Sequence, residues 1–129
     1  MAIVGHGIDL VEVARIARLL EEHGAAFRAR CFTPEEQRLA QAGGRIAERF
    51  AGRFAAKEAV LKALGTGWAG GIAWTDIELG ADASGKPVLS LSGEALKRAN
   101  SVGVGRWHVS ISHVSGYAMA SAVAEDGPA

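Results

Sequence analysis

Glu58 stands between Lys57 and Lys62 in the run Phe54-Ala55-Ala56-Lys57-Glu58-Ala59-Val60-Leu61-Lys62-Ala63, which leads into the glycine-rich stretch Gly65–Gly71. An acid between two cations on one helix, ending in a flexible loop, can serve a phosphate-bearing ligand and a hard cation together. Mg²⁺ takes few protein carboxylates and completes its shell with waters and substrate phosphates. Asp9, in Gly7-Ile8-Asp9-Leu10-Val11-Glu12, is an acid elsewhere in the chain that could complete the pair. Helical spacing sets Arg53, Lys57, Leu61 and Leu64 on one stripe, and Phe54, Glu58 and Lys62 on the next. Two lysines and an arginine could then bind phosphate while Glu58 ligates the metal. A plainer reading competes with equal weight. Glu58 and Lys62 would be an i,i+4 surface pair worth on the order of a few tenths of a kcal/mol, and Asp9 a helix cap.

The loop Gly65-Thr66-Gly67-Trp68-Ala69-Gly70 satisfies G-x-G-x-x-G literally. It follows a helix and leads into a strand, which is the wrong context for a dinucleotide fold. No Lys-Ser/Thr follows the last glycine, so it is not a Walker loop either. A helix stop and turn, or backbone N–H groups approaching phosphate, both fit. His113, in Ser110-Ile111-Ser112-His113, is either a turn histidine or a donor to phosphate. No Gly-x-Ser-x-Gly elbow supports a serine hydrolase, and the four histidines lack metal-ligand spacing. Arg15 and Arg18 share a stripe with Glu22, and Arg28 and Arg30 follow around Phe27. Solvated helix surface is the simpler account; a docking face for an acidic protein is the functional one.

The elements that must position these residues are mixed. Ile3–Leu10 reads as a strand whose Gly5 and Gly7 admit a close backbone or ligand. Val11–Glu22 has helical apolar spacing and Gly24 is a stop, with a further helical turn over Ala25–Arg30. Thr33-Pro34-Glu35-Glu36 is a capping box with proline at the first helical position. Gly43-Gly44 separates it from the longest helix, Arg45–Leu64. Ala73–Gly80 and Pro87–Leu91 read as strands joined by a turn at Asp82–Lys86, and Ser92 caps a helix to Asn100. Trp107–Ser112 and Tyr117–Val123 form an antiparallel pair around Val114-Ser115-Gly116. Residues 125–129 are expected to be a flexible tail. The fold class is α+β: a single domain over 1–129, with an antiparallel sheet packed against a long helix.

With 129 residues, 49% hydrophobic and 22% charged, the chain can bury one core unaided. Fourteen basic and fourteen acidic residues cancel, which argues against nucleic acid as a partner. Cys31 is the sole cysteine, so neither an intrachain disulfide nor a cysteine zinc site is available. No apolar run reaches the roughly 20 residues of a membrane span. The N-terminus lacks an export signal, so the expected location is the cytoplasm, with no membrane association.

In order along the chain, Gly7-Ile8-Asp9-Leu10-Val11-Glu12-Val13, Phe32-Thr33-Pro34-Glu35-Glu36, Ala51-Gly52-Arg53-Phe54-Ala55-Ala56-Lys57-Glu58-Ala59, Lys62-Ala63-Leu64-Gly65-Thr66-Gly67, Trp74-Thr75-Asp76-Ile77-Glu78, Gly85-Lys86-Pro87 and Ser110-Ile111-Ser112-His113 resemble the holo-acyl-carrier-protein synthases. These are small 4′-phosphopantetheinyl transferases, and the likeness spans Gly5 to about Val123. It implies transfer of the 4′-phosphopantetheine arm of coenzyme A to a carrier-protein serine in fatty acid biosynthesis, releasing adenosine 3′,5′-bisphosphate. It further implies Mg²⁺ on Asp9 and Glu58, Lys62 at the pyrophosphate, Arg53 and His113 at the 3′-phosphate, and close backbone approach at Gly65 and Gly67. Asp9, Glu58 and Lys62 are thus the expected catalytic set. Glu58, a metal-bound water and a phosphate all remain open as the base. The acidic acyl carrier protein would dock on Arg15, Arg18, Phe27 and Arg28. Family members form homotrimers with sites between subunits, which suggests Arg15 and Asp9 from one chain with Glu58 and Lys62 from another. Val114 stands where the family commonly has a small hydroxyl residue. A non-catalytic coenzyme A or nucleotide-binding module on the same scaffold is the competing class.

Overall fold

The structure is a computed structural model that describes residues 1–127. In chain order the elements are β1 (Ile3–Glu12), α1 (Val13–Cys31), α2 (Pro34–Gln41), α3 (Ile46–Leu64), a 3₁₀ turn (Trp74–Asp76), β2 (Ile77–Ala81), β3 (Pro87–Leu91), α4 (Gly93–Ser101), β4 (Arg106–Val114) and β5 (Tyr117–Glu125). β5 lies between β1 and β4 in an antiparallel sheet, and β2 and β3 form a separate hairpin. The α+β architecture expected from the chain is present, with α3 lying across the three-stranded sheet.

Local chemistry explains the boundaries. α2 carries the anticipated capping box: Thr33 Oγ1 accepts from the Glu36 N–H at 3.2 Å, and Glu36 Oε1 accepts from the Thr33 N–H at 2.9 Å. Gly24, at φ 43° and ψ −117°, breaks α1 into two helical pieces. Gly65 ends α3 in the left-handed region, its N–H donating to the Leu61 and Lys62 carbonyls. Ser115 and Gly116 both have positive φ, as a two-residue hairpin turn requires.

Four local expectations change. β1 runs on to Glu12, so α1 begins at Val13, whose N–H donates to the Gly116 carbonyl at 2.8 Å. Residues 74–76 form a 3₁₀ turn rather than strand, because the Asp76 carboxylate accepts from the Ala73 N–H at 3.1 Å and folds the chain back. Ser92 occupies the N-cap of α4 without a side-chain cap bond. Glu125 belongs to β5 opposite Ile3, and Asp126 bonds to Ala2 through both its N–H and its carboxylate, so the chain is anchored there. The remainder of the expected tail, 128–129, lies outside the described residues.

The sheet presents an unusually small inner face. Ala118, Ala120, Ala122 and Ala124 of β5 are all buried, as are Ala51, Ala55, Ala56, Ala59 and Ala63 of α3. Small side chains on both surfaces bring the helix axis close to the strands. The outer sheet face instead exposes Val4, Ile8, Leu10 and Met119. The larger apolar side chains gather beyond α3, where Phe27, Phe32, Phe50, Phe54 and Trp74 form a chain of edge-to-face, tilted and stacked ring contacts.

Candidate active site

Gly5 and Gly7 set the geometry from which the site follows. A Cβ on Gly7 would overlap the Ala59 carbonyl oxygen, and one on Gly5 the Ala63 carbonyl oxygen. Their missing side chains let α3 rest on the backbone of β1. Asp9 continues the same face of β1 and so meets the same stretch of helix. Lys62 Nζ donates to the Ile8 carbonyl at 2.8 Å and lies 3.3 Å from Asp9 Oδ1. The i,i+4 pair of Glu58 with Lys62 is therefore replaced by a cross-element pair with Asp9. Asp9 is inside a strand and caps nothing.

Glu58 shares this spot. Its carboxyl pKa is raised above the ordinary value, first by burial and then by the Asp9 carboxylate; the Trp68 indole, Lys62 and Arg15 oppose the rise. The Trp68 N–H is buried and meets no full hydrogen-bond geometry, yet it lies on the Glu58 side and favours the anion. Asp9, Glu58, Lys62 and Arg15 thus converge within a single chain, so the division of these four between two subunits does not hold.

Lys57 departs furthest from its sequence reading. It is fully buried and pairs with Glu36, also fully buried, at 2.6 Å. Its Nζ further donates to the Trp74 carbonyl at 2.9 Å and the Ile77 carbonyl at 2.6 Å. Burial drives its pKa down while Glu36 drives it up. It faces away from solvent and cannot bind phosphate.

Arg53 and His113 meet at a second place, a cleft of about 230 Å³ lined also by Leu79, Gly80, Gly85 and Pro87. Gly52 makes room for the imidazole, since a Cβ there would stand 2.8 Å from His113 Nε2. That nitrogen is 3.0 Å from the Glu48 carbonyl, which can only accept, so it carries the proton. Arg53 Nε is buried without a partner, while Nη1 donates to the Arg49 carbonyl at 3.3 Å. A ligand anion would satisfy the orphaned N–H. Arg53 and Glu58 project about 140° apart around α3.

A third concavity, of about 480 Å³, separates α1 from α3 and is lined by Arg15, Leu19, Phe27, Arg30, Phe54 and Trp74 among others. The Arg15 guanidinium sits 5.6 Å from the Phe54 ring centre. Of the expected docking residues, Arg15 and Phe27 line this cleft and Arg18 and Arg28 do not. Arg18 is exposed elsewhere on α1, and Arg28 is half-buried, its carbonyl accepting from Phe32 and Gln37. Arg30, one of the four arginines of the candidate docking face though not among those the resemblance implied, is there instead; it stands three residues from Phe27, the spacing that shares a helix face. Trp68 and Trp74 were missed, their rings 3.9 Å apart at the wall nearest Glu58. In the glycine loop, Gly65 stops the helix and Gly67, at φ 57°, is exposed with open space around it.

The donor set fits a hard cation. Two carboxylates converge at Asp9 and Glu58, where burial first and the Asp9 charge second raise the Glu58 pKa. No cluster of three or more metal-ligating side chains occurs among the described residues. Two oxygen ligands with room for water and phosphate suit Mg²⁺ and do not suit a zinc centre.

The family model of the 4′-phosphopantetheinyl transferase superfamily matches residues 5–122. The holo-[acyl-carrier-protein] synthase of Koribacter versatilis is 47% identical over 124 residues, covering 96% of this chain and 99% of its own. Among solved structures, the holo-[acyl-carrier-protein] synthase of Neisseria meningitidis superposes with a TM-score of 0.88 at 38% identity, covering 97% of this chain and 100% of its own. The Bacillus anthracis holo-(acyl-carrier-protein) synthase, in complex with CoA (3′,5′-ADP), gives a TM-score of 0.79 at 40% identity over 97% of this chain and 98% of its own.

Proposed function

This chain belongs to the 4′-phosphopantetheinyl transferase superfamily, and from that membership and the site geometry we propose that it transfers the 4′-phosphopantetheine arm of coenzyme A to a serine hydroxyl of acyl carrier protein. The serine oxygen forms a bond to the pantetheine-side phosphorus and gives up its proton to Glu58, water or a phosphate oxygen, while the pyrophosphate P–O bond breaks, releasing adenosine 3′,5′-bisphosphate. The observation that carries the assignment is the convergence of Asp9, Glu58 and Lys62 where α3 crosses β1.

Asp9 and Glu58 would hold Mg²⁺, which when bound neutralises charge growing on the pyrophosphate. Lys62, exposed and anchored by Ile8, places its ammonium at the pyrophosphate edge. Arg53 and His113 take the 3′-phosphate, and Gly85 and Pro87 border the same cleft. Gly65 and Gly67 leave the chain slim where the ligand passes. The carrier lies in the α1–α3 cleft, its acidic surface against Arg15 and Arg30 and an apolar side chain against Phe27 and Phe54.

The Arg53–His113 cleft and the carboxylates lie on different sides of α3, so one complete site needs parts of two copies. The exposed Val4, Ile8, Leu10 and Met119 offer an apolar sheet face for that assembly, which we propose is a homotrimer. Among the described residues no helix is long and apolar enough to cross a membrane. The cytoplasm, where coenzyme A and carrier protein for fatty acid synthesis meet, is the proposed location.

Incubating the protein with apo carrier protein, coenzyme A and Mg²⁺, then measuring intact mass, tests the assignment. Addition of one phosphopantetheine to the carrier is expected. An unmodified carrier beside demonstrated coenzyme A binding would refute it.

A further inference from the structure

Lys57 precedes Glu58 in the chain but belongs to neither phosphate nor metal, and its surroundings are built with no loose end. Its ammonium has three donors and three acceptors: Glu36 Oε1, the Trp74 carbonyl and the Ile77 carbonyl. The two carbonyls bracket the 3₁₀ turn, one at its first residue and one just past its end. Glu36 is equally committed, accepting from the Thr33 N–H through Oε1 and from the Leu79 N–H through Oε2 at 2.8 Å. A single buried pair therefore ties α2, α3, the 3₁₀ turn and β2 together. The Phe32 ring lies 5.6 Å from the ammonium.

Trp74 is the residue this arrangement holds at the surface. Its ring stacks on Phe54 at 4.7 Å and lies tilted against Trp68 at 3.9 Å. It lines both the 480 Å³ cleft and a neighbouring one of about 390 Å³ with Arg30, Trp68, Ile72 and Ala73. The backbone that carries it has one anchor reaching down from α3, and that anchor is Lys57.

We propose that Lys57 is a positioning residue for the transfer reaction: by clamping the Trp74 and Ile77 carbonyls it fixes the indole wall against which the carrier protein docks. The proposal rests on the transferase reading above. It touches neither substrate, so its loss should fall on carrier recognition more than on coenzyme A. A compact ammonium can satisfy three acceptors around one point, which a planar guanidinium cannot.

The test is the double variant Lys57→Met/Glu36→Gln, which removes the pair without leaving a buried unpaired charge. Two readouts are made on it. In a Trp68→Phe/Trp107→Phe background, where Trp74 is the sole tryptophan, acrylamide quenching should rise several-fold when the clamp is removed. In the otherwise native chain, KM for apo carrier protein should rise about tenfold, while KM for coenzyme A stays within about twofold. Should the double variant not fold, Lys57→Arg retains the charge pair and is expected to show the same selective rise. Unchanged quenching, or equal losses toward the two substrates, would overturn the proposal. If the native protein itself leaves the carrier unmodified, the transferase reading fails, and the quenching measurement still decides whether Lys57 holds Trp74.

Discussion

Gly7 lies directly against the carbonyl oxygen of Ala59, with no room between them for a methyl group. This contact brings a carboxylate on a strand to the carboxylate and ammonium of a helix. Gly7→Ala must push α3 off β1, and overpacking of this kind costs about 1–3 kcal/mol. Chemical denaturation should show that loss, with turnover falling further than stability because Asp9 and Glu58 separate. Gly44→Ala, with open space at its Cβ and no positive φ, is the matched control and should be neutral. Gly7→Ala at native stability and turnover would contradict the close approach.

Glu58 carries a raised carboxyl pKa, so its contribution to stability has a definite sign. For a group whose folded pKa lies above its unfolded one, the stabilisation is fully present below the unfolded value and is lost as pH rises through the folded value. Without metal, native protein should therefore lose ground to Glu58→Gln as pH climbs from below the ordinary 4.5 through the elevated value. Mg²⁺ should reverse that trend in the native protein alone, since a cation favours the ionised carboxylate. Thermal unfolding across pH, with and without Mg²⁺, measures both. Glu58→Gln should also lose Mg²⁺-dependent turnover; full activity would remove Glu58 from the site.

Arg15 borders the carboxylates and the α1–α3 cleft at once. Arg15→Glu should raise KM for the acidic carrier at least about tenfold, equivalent to roughly 1.4 kcal/mol. Coenzyme A should be affected far less, and the gap should narrow as salt is raised. Steady-state kinetics with each substrate varied in turn decides it, and equal losses in both would dismiss the docking role.

Arg53 holds an orphaned buried N–H beside His113. Arg53→Ala should remove about 1.5–3 kcal/mol of preference for coenzyme A over its analogue lacking the 3′-phosphate. Calorimetric titration with the two ligands checks it. A preference that survives intact would place the 3′-phosphate elsewhere.

What could be read in the chain beforehand followed from local rules or from motif order. Thr33 and Glu36 announced the start of α2 because a capping box is complete within four residues. Gly5 and Gly7 announced a close approach, since a strand otherwise gains by carrying side chains there. Lys57 could not be read this way. Its partner Glu36 sits far upstream, and helical spacing describes a stripe without saying whether that stripe faces water. The pairing of Lys62 with Asp9 is equally non-local, and it displaced an i,i+4 pair that spacing alone favoured. The family resemblance points to Arg28, whereas position around the helix decides that Arg30 reaches the cleft. The strand expected over 73–76 failed on one carboxylate, Asp76, which turns the chain back on itself.

The alanine faces of α3 and β5 have a mechanical consequence. Interdigitating side chains act as gear teeth, whereas two rows of methyl groups act as a smooth bearing, with little to resist sliding along the helix axis. Axial registration of α3 must then come from a few detents: the notches at Gly5 and Gly7, the tether from Lys62 to Ile8 and, elsewhere on the helix, the buried Lys57 clamp. The site is as exact as those detents are, and a slip of one helical step would carry Glu58 out of alignment with Asp9.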